Sequence, residues 1–139
     1  MEEELYKIAQ FIVLTLSDKG WSVATAESCT GGGIAAALTA VPGSSACVKG
    51  GIVAYMEEIK VKLLGVSPQT LSTEGVVSEH TVIEMGKGAM QTMGTDFAVG
   101  PYRISLNYYT ANLENAQMQD AWLAGTMSLD EAAEINVNI

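Results

Sequence analysis

"WSVATAESCTGGGIAAALTA", residues 21–40, decides the fold. Residues 21–26 read as a short strand, and Ile34 to Ala40 as a helix of small residues. The turn "VPGSS", residues 41–45, ends that helix. Between strand and helix stand a carboxylate, a serine, a thiol, a threonine and three glycines. Such a run makes poor core. It suits the holding of a polar group, because the first turn of a helix leaves backbone N–H groups unpaired. Glycines keep that turn bare, so a phosphate or an oxyanion can approach it.

The rest of the chain repeats the alternation. Upstream, Leu5, Ile8, Ala9, Ile12, Val13 and Leu16 fall at helical spacing, which predicts an amphipathic helix over residues 2–19 with Gly20 as its stop. Downstream, residues 46–55 read as a second strand, and Glu57 to Leu64 as a short helix closed by Gly65. Ser67-Pro68 has the pattern of an N-cap with proline at the first helical position. Ser78 caps a third long helix over residues 79–93, with Val82, Ile83, Met85, Met90 and Met93 on its apolar face. Residues 96–99, "DFAV", make a third apolar strand. Strands alternating with helices predict an α/β protein, a three-layer α/β/α sandwich around a central mixed or mostly parallel sheet.

After Gly100 the texture changes. In "PYRISLNYYT", residues 101–110, Ile104, Leu106 and Tyr108 alternate as in a half-buried strand. Residues 112–124 predict a helix, and "SLDE", Ser128 to Glu131, is a capping-box pattern. The 139 residues are expected to make one domain. The tyrosine-rich tail, with Tyr102, Tyr108, Tyr109 and Trp122, predicts a homo-oligomer, because such a surface needs cover.

Composition narrows the function. Apolar residues make up 48% of the chain and charged residues 17%, as in a globular protein. The net charge is −9, and the seven basic residues are scattered. Without a basic stripe, neither nucleic acid nor an anionic membrane surface is an expected partner. The acidic start MEEEL lacks the pattern of a signal peptide, and no apolar run has the length of a membrane helix. Two cysteines, Cys29 and Cys47, make no disulfide framework and read as small buried residues. These features predict a cytoplasmic protein. The methionines read as core filler.

Ser28 is the candidate nucleophile, and a serine hydroxyl needs a base to take its proton. The single histidine, His80, falls at a polar helix start and makes a poor partner. Lys60 follows Tyr55 by five residues, just past a strand end. If the two strands are parallel, an amine and a phenol reach the same rim of the sheet as Ser28. A Ser–Lys pair assisted by tyrosine is sound chemistry for amide hydrolysis. A serine before glycines and a helix also makes a simple tight turn, and spacing alone leaves both readings open.

The run TAESCTGGGIAAALTAVPGSSACVKGGIVAYMEEIKVKLLGV, followed by EGVVSEHTV, resembles the C-terminal domain of the competence/damage-inducible CinA proteins. That family occurs both fused to other domains and as stand-alone nicotinamide-nucleotide amidohydrolases. The resemblance covers about residues 1–99 and leaves 100–139 divergent. It implies hydrolysis of the carboxamide of nicotinamide mononucleotide to nicotinic acid mononucleotide and ammonia, with no metal and no cofactor. It implies Ser28 as nucleophile, Lys60 as base and Tyr55 as its assistant. Thr30, Gly31 and Gly32 would form an amide-lined loop for the oxyanion or the phosphate. Glu27 would hold the loop in shape, and Ser78 would line the pocket.

Two departures accompany the match. Met56-Glu57 stands where the family usually has small polar residues after the tyrosine. The added charge would repel a phosphate or raise the pKa of Lys60. After Gly100-Pro101 the family's Gly-Pro-Gly-Gly loop, its following strand and its arginine-bearing helix have no counterpart, and Arg103 does not align with the family arginine. The resemblance therefore implies either an active amidohydrolase or a catalytically silent CinA-like domain that binds a nucleotide or a protein partner.

Overall fold

The computed structural model describes residues 3–101 and 108–110. In chain order these form α1 (Glu3–Lys19), β1 (Val23–Glu27), α2 (Gly33–Thr39), a 3-10 turn (Ser44–Ala46), β2 (Val48–Val53), α3 (Glu57–Leu64), α4 (Pro68–Glu74), α5 (Glu79–Met93), β3 (Phe97–Pro101) and β4 (Tyr108–Thr110). The strand order across the sheet is β2-β1-β3-β4. β1 is parallel to both β2 and β3, whereas β4 is antiparallel to β3.

β1 lies inside the sheet and is buried along its whole length. Its side chains alternate between two cores, as the period of a strand requires. Val23 faces Ala9, Val13 and Leu16 of α1 and Ile34, Ala37 and Leu38 of α2, with Phe97 of β3 beside them. Ala24 and Ala26 face Leu64 of α3, Leu71 of α4, and Met85 and Ala89 of α5. One pair of helices thus covers one face and three helices cover the other, giving a three-layer sandwich around a mixed sheet. The small residues of β1 let α5 lie close to the strand.

The boundaries of the three strands β1, β2 and β3 differ from the sequence reading; β3 starts at Phe97 and runs on through Gly100 and Pro101, which pair with Tyr109 and Tyr108. Trp21 and Ser22 precede β1: the Trp21 N–H closes α1 on Leu16 O, and Ser22 N–H bonds to Asp96 Oδ2 at 2.8 Å. Glu27 joins the strand because it pairs with Val53. β2 begins only at Val48, since Ala46 belongs to the 3-10 turn. The helices follow the expected periods. In α5, Ser78 Oγ accepts the Thr81 N–H and so caps the helix, while Val82, Met85 and Ala89 are buried. Met85 is core, with Met90 and Met93 packed against it. Cys47 is buried, but Cys29 is exposed, contrary to its reading as a core residue. The glycine-rich turn carries it outward. Of the expected strand after Gly100, Tyr108–Thr110 is observed. Ile104, Leu106, Arg103, Tyr102, Trp122, the helix over 112–124 and the capping box lie outside the described residues.

α3 and α5 touch through backbone. A Cβ added at Gly88 of α5 would stand 1.9 Å from Leu64 O and 2.6 Å from its carbonyl carbon. Backbone cannot rotate away as a side chain can, so Gly88→Ala must push α3 off α5. The expected cost is ~3 kcal/mol of overpacking, read as a lowered thermal midpoint. Unchanged melting would show that the two helices are not packed this closely in solution. Because α3 carries Lys60, the same displacement reaches the site described next.

Candidate active site

β1 and β2 leave the sheet side by side. Glu27 pairs with Val53, and the next N–H, that of Ala54, donates to Glu27 O at 2.8 Å. Ser28 therefore emerges beside Ala54 and Tyr55. The chain turns at Met56 into α3, and the first turn of that helix swings Lys60 back beneath the strand ends. Lys60 is 1% exposed. Its Nζ donates to Ala54 O at 2.7 Å, to Tyr55 O at 2.6 Å and to Ser28 Oγ at 2.9 Å. An ammonium has three donors, and here each has an acceptor.

Two opposing effects set the proton affinity of this amine. Burial removes water from the ammonium and lowers its pKa from the ordinary lysine value; electrostatic interactions with Cys29 and Glu57 act the other way. Burial is the largest, so the pKa is lowered. The carboxylate at Glu57, expected to spoil Lys60 as a base, raises the pKa without reversing that shift.

The loop over this pair is held from below. Glu27 is fully buried. Its Oε1 accepts the Ile34 N–H at 2.8 Å, and its Oε2 accepts the Ala35 N–H at 3.0 Å and the Thr25 hydroxyl at 3.2 Å. The residue before α2, Gly32, makes no side-chain cap, so Glu27 caps the helix from the neighbouring strand. Gly31 and Gly32 adopt φ of 61° and 101°, left-handed values that favour glycine. Inside the loop, Gly31 N–H bonds to Ser28 O and Gly33 N–H to Thr30 O, both at 3.0 Å. The amides at the start of α2 are thus occupied by protein. No acceptor among the described residues takes the N–H groups of Cys29, Thr30 and Gly32.

A serine on a strand-to-loop turn, an amine buried against it and a glycine loop above them make up the candidate site. The sequence model of the CinA C-terminal domain matches residues 5–101. The chain belongs to the CinA C-terminal domain family. CinA-like proteins of Chloroherpeton thalassium and Parasynechococcus marenigrum are 51% identical over 84 residues and 46% identical over 92 residues. These stretches are 60% and 66% of this chain, but 20% and 22% of the relatives. The chain thus spans about a fifth of the length of the curated relatives it matches. Among solved structures, a competence/damage inducible protein from Agrobacterium tumefaciens is 42% identical, with a TM-score of 0.70. The alignment covers 72% of this chain and 61% of that one. A CinA superfamily protein from Klebsiella pneumoniae is 36% identical, with a TM-score of 0.67 over 69% of this chain and 60% of that one.

Not every residue singled out in this CinA domain reaches the Ser28–Lys60 pair. Tyr55 meets Lys60 through its backbone carbonyl, while its side chain is 72% exposed. Ser78 is engaged in capping α5, next to Thr81 Oγ1 and Gly75 O. α5 runs back towards the start of β3, so its capped end lies on the same edge of the sheet as Ser28. His80 is exposed, 3.5 Å from Glu74, and takes no part in the pair. The Thr30 hydroxyl is buried with no partner among the described residues. The sequence reading passed over Thr25 and the carbonyls of Ala54 and Tyr55. Thr25 had a signal, its place two residues before Glu27 on one strand face; the carbonyls had none. Among the described residues no group of His, Cys, Asp and Glu could hold a metal, and no helix is long and apolar enough to cross a membrane.

Proposed function

We propose that this CinA C-terminal domain deamidates nicotinamide mononucleotide with Ser28 as nucleophile and Lys60 as base. The observation that carries the reading is the 2.9 Å contact between Lys60 Nζ and Ser28 Oγ, made by an amine buried to 1% exposure. As a neutral amine, Lys60 keeps two N–H bonds. The carbonyls of Ala54 and Tyr55 hold them, which turns the lone pair towards the Ser28 hydroxyl.

Ser28 Oγ then attacks the carboxamide carbon as its proton passes to Lys60 Nζ. The oxyanion forms beneath the N–H groups of Cys29, Thr30 and Gly32, which are free of acceptors among the described residues. Lys60 returns the proton to the departing nitrogen, and ammonia leaves an ester on Ser28. Water, deprotonated by the same amine, attacks that ester, the bond to Oγ breaks as Lys60 returns the proton to Ser28 Oγ, and the acid is released. Glu27 keeps the loop amides in place. Gly31 supplies the turn, and Ser78 shapes the pocket wall from the start of α5. Tyr55 acts here through its carbonyl.

Ammonia release from nicotinamide mononucleotide by the purified chain, beside Ser28→Ala, is the test. The expected result is release by the parent chain and a loss of 10²-fold or more, on the order expected of a nucleophile, in the variant. Release that survives in Ser28→Ala would reject Ser28 as nucleophile.

One observation favours the alternative of a silent domain binding a nucleotide or protein partner: the family match stops at residue 101. No release from folded protein that still binds the nucleotide would select it.

A further inference from the structure

Thr25 takes no part in the chemistry above, yet it is as deeply buried as Glu27, both at 0% exposure. The two stand two residues apart on β1 and share the face turned to α2. The Thr25 hydroxyl donates to Glu27 Oε2 at 3.2 Å. Its room comes from the next strand. Thr25 pairs with Gly51 of β2, and a Cβ added at Gly51 would collide with Thr25 Oγ1. A β-branched side chain can yield only by turning about χ1, and that turn carries the hydroxyl away from the carboxylate. Gly51 sits inside β2 and is not one of the left-handed glycines, so this contact and not a turn accounts for the missing side chain.

The bond lies at the clasp of the loop. Glu27 ends β1, and its carboxylate reaches past Ser28 and the glycines to take the Ile34 and Ala35 N–H groups at 2.8 Å and 3.0 Å. The stretch from Ser28 to Gly33 is held between those two points. The amides fasten the carboxylate to α2, and the Thr25 hydroxyl fastens it to the sheet. Resting on the deamidase reading, we propose that Thr25 is a positioning residue: its hydroxyl, housed by Gly51, locks the Glu27 clasp and so sets the loop amides where the oxyanion forms. Without that bond the carboxylate swings with α2, and the N–H groups of Cys29, Thr30 and Gly32 lose their aim. Misplaced donors of this kind cost rate more than binding.

The test reads the clasp and the reaction separately, in Thr25→Val, Thr25→Ser, Gly51→Ala, Thr25→Ala and the Gly51→Ala/Thr25→Ala double variant. Amide hydrogen exchange by NMR follows Ile34 and Ala35, with Val23, whose N–H donates to Cys47 O at 2.8 Å, as the reference. Ammonia release gives kcat and KM for nicotinamide mononucleotide. Thr25→Val and Gly51→Ala should speed exchange at Ile34 and Ala35 roughly tenfold and leave Val23 unchanged. Both should lower kcat roughly tenfold with KM held. Thr25→Ser keeps the hydroxyl and should match the parent. In Thr25→Ala the atom that Gly51→Ala displaces is gone, so adding Gly51→Ala should change exchange and kcat little further. Unchanged exchange in Thr25→Val would overturn the proposal. So would faster exchange with kcat held, the mark of a purely structural clasp, and so would equal effects of Gly51→Ala in the parent and in Thr25→Ala. If the parent releases no ammonia, the deamidase reading fails by itself and exchange still decides: faster exchange in Thr25→Val and Gly51→Ala upholds the clasp, and parent-like exchange overturns it.

Discussion

Lys60→Met is expected to lower ammonia release by about 10²–10⁴-fold, the contribution of a positioned general base, while the protein stays folded. Methionine nearly fills the space of the lysine stem and removes the amine that reaches Ser28 Oγ. Lys60→Arg should not rescue, because a guanidinium cannot give up its proton. The parent chain supplies a pH signature for the same role. Only the neutral amine can accept the Ser28 proton, so kcat/KM rises as pH rises and Lys60 deprotonates. Since burial lowers the Lys60 pKa, that rise should be centred below the ordinary lysine value. The limb should vanish from whatever activity remains in Lys60→Met. Release within tenfold of the parent in that variant would remove Lys60 as the base. The measurements are initial rates of ammonia release from pH 6 to pH 10, with circular dichroism to verify folding.

Glu27→Ala should be the most damaging single change to stability near the site, at ~3–5 kcal/mol. The carboxylate is fully buried and receives two backbone N–H groups and one hydroxyl. Removing it leaves the buried Ile34 amide and the part-buried Ala35 amide unsatisfied, the buried one costing ~1–3 kcal/mol and the other less, and opens a cavity beside Thr25. The expected readout is a fall in the thermal midpoint by ten degrees or more. Glu27→Gln should recover part of the loss, because one amide oxygen can still accept, but its NH2 group then faces a backbone N–H. Melting of Glu27→Ala within two degrees of the parent would mean that α2 is capped by something other than Glu27.

Most of the layering was legible before the structure. The apolar spacing of α1 and α5 and the proline after Ser67 obey local rules, and those elements lie where the rules put them; the short apolar run before Gly100 forms β3, which extends two residues further because Gly100 and Pro101 pair with β4. The edges of β1 and β2 were less legible. Where a strand starts depends on its pairing partner, as Glu27 entering β1 opposite Val53 shows. Cys29 was misread because a small apolar-looking residue gives no local sign of which way a glycine turn will carry it.

The candidate site divides along the same line. Ser28, the glycines after it and Lys60 could be named from a linear pattern, since the left-handed turn at Gly31 and Gly32 demands glycine from within the chain. That Lys60 is buried could not be read, because a lysine in EEIKVK looks like one side of a solvated helix. Its burial follows from α3 folding back under the end of β2 and packing on α5, which brings the amine to Ser28, a residue far away in sequence. That packing also recruits the carbonyls of Ala54 and Tyr55 and sets the balance between desolvation and the electrostatic influence of Cys29 and Glu57. The same holds for Glu27: sequence places a carboxylate before the loop, but only the stacking of α2 on β1 brings it to the helix amides. Residue types and local turns are written in the chain, whereas burial and long-range hydrogen bonds exist only when separate elements share one core.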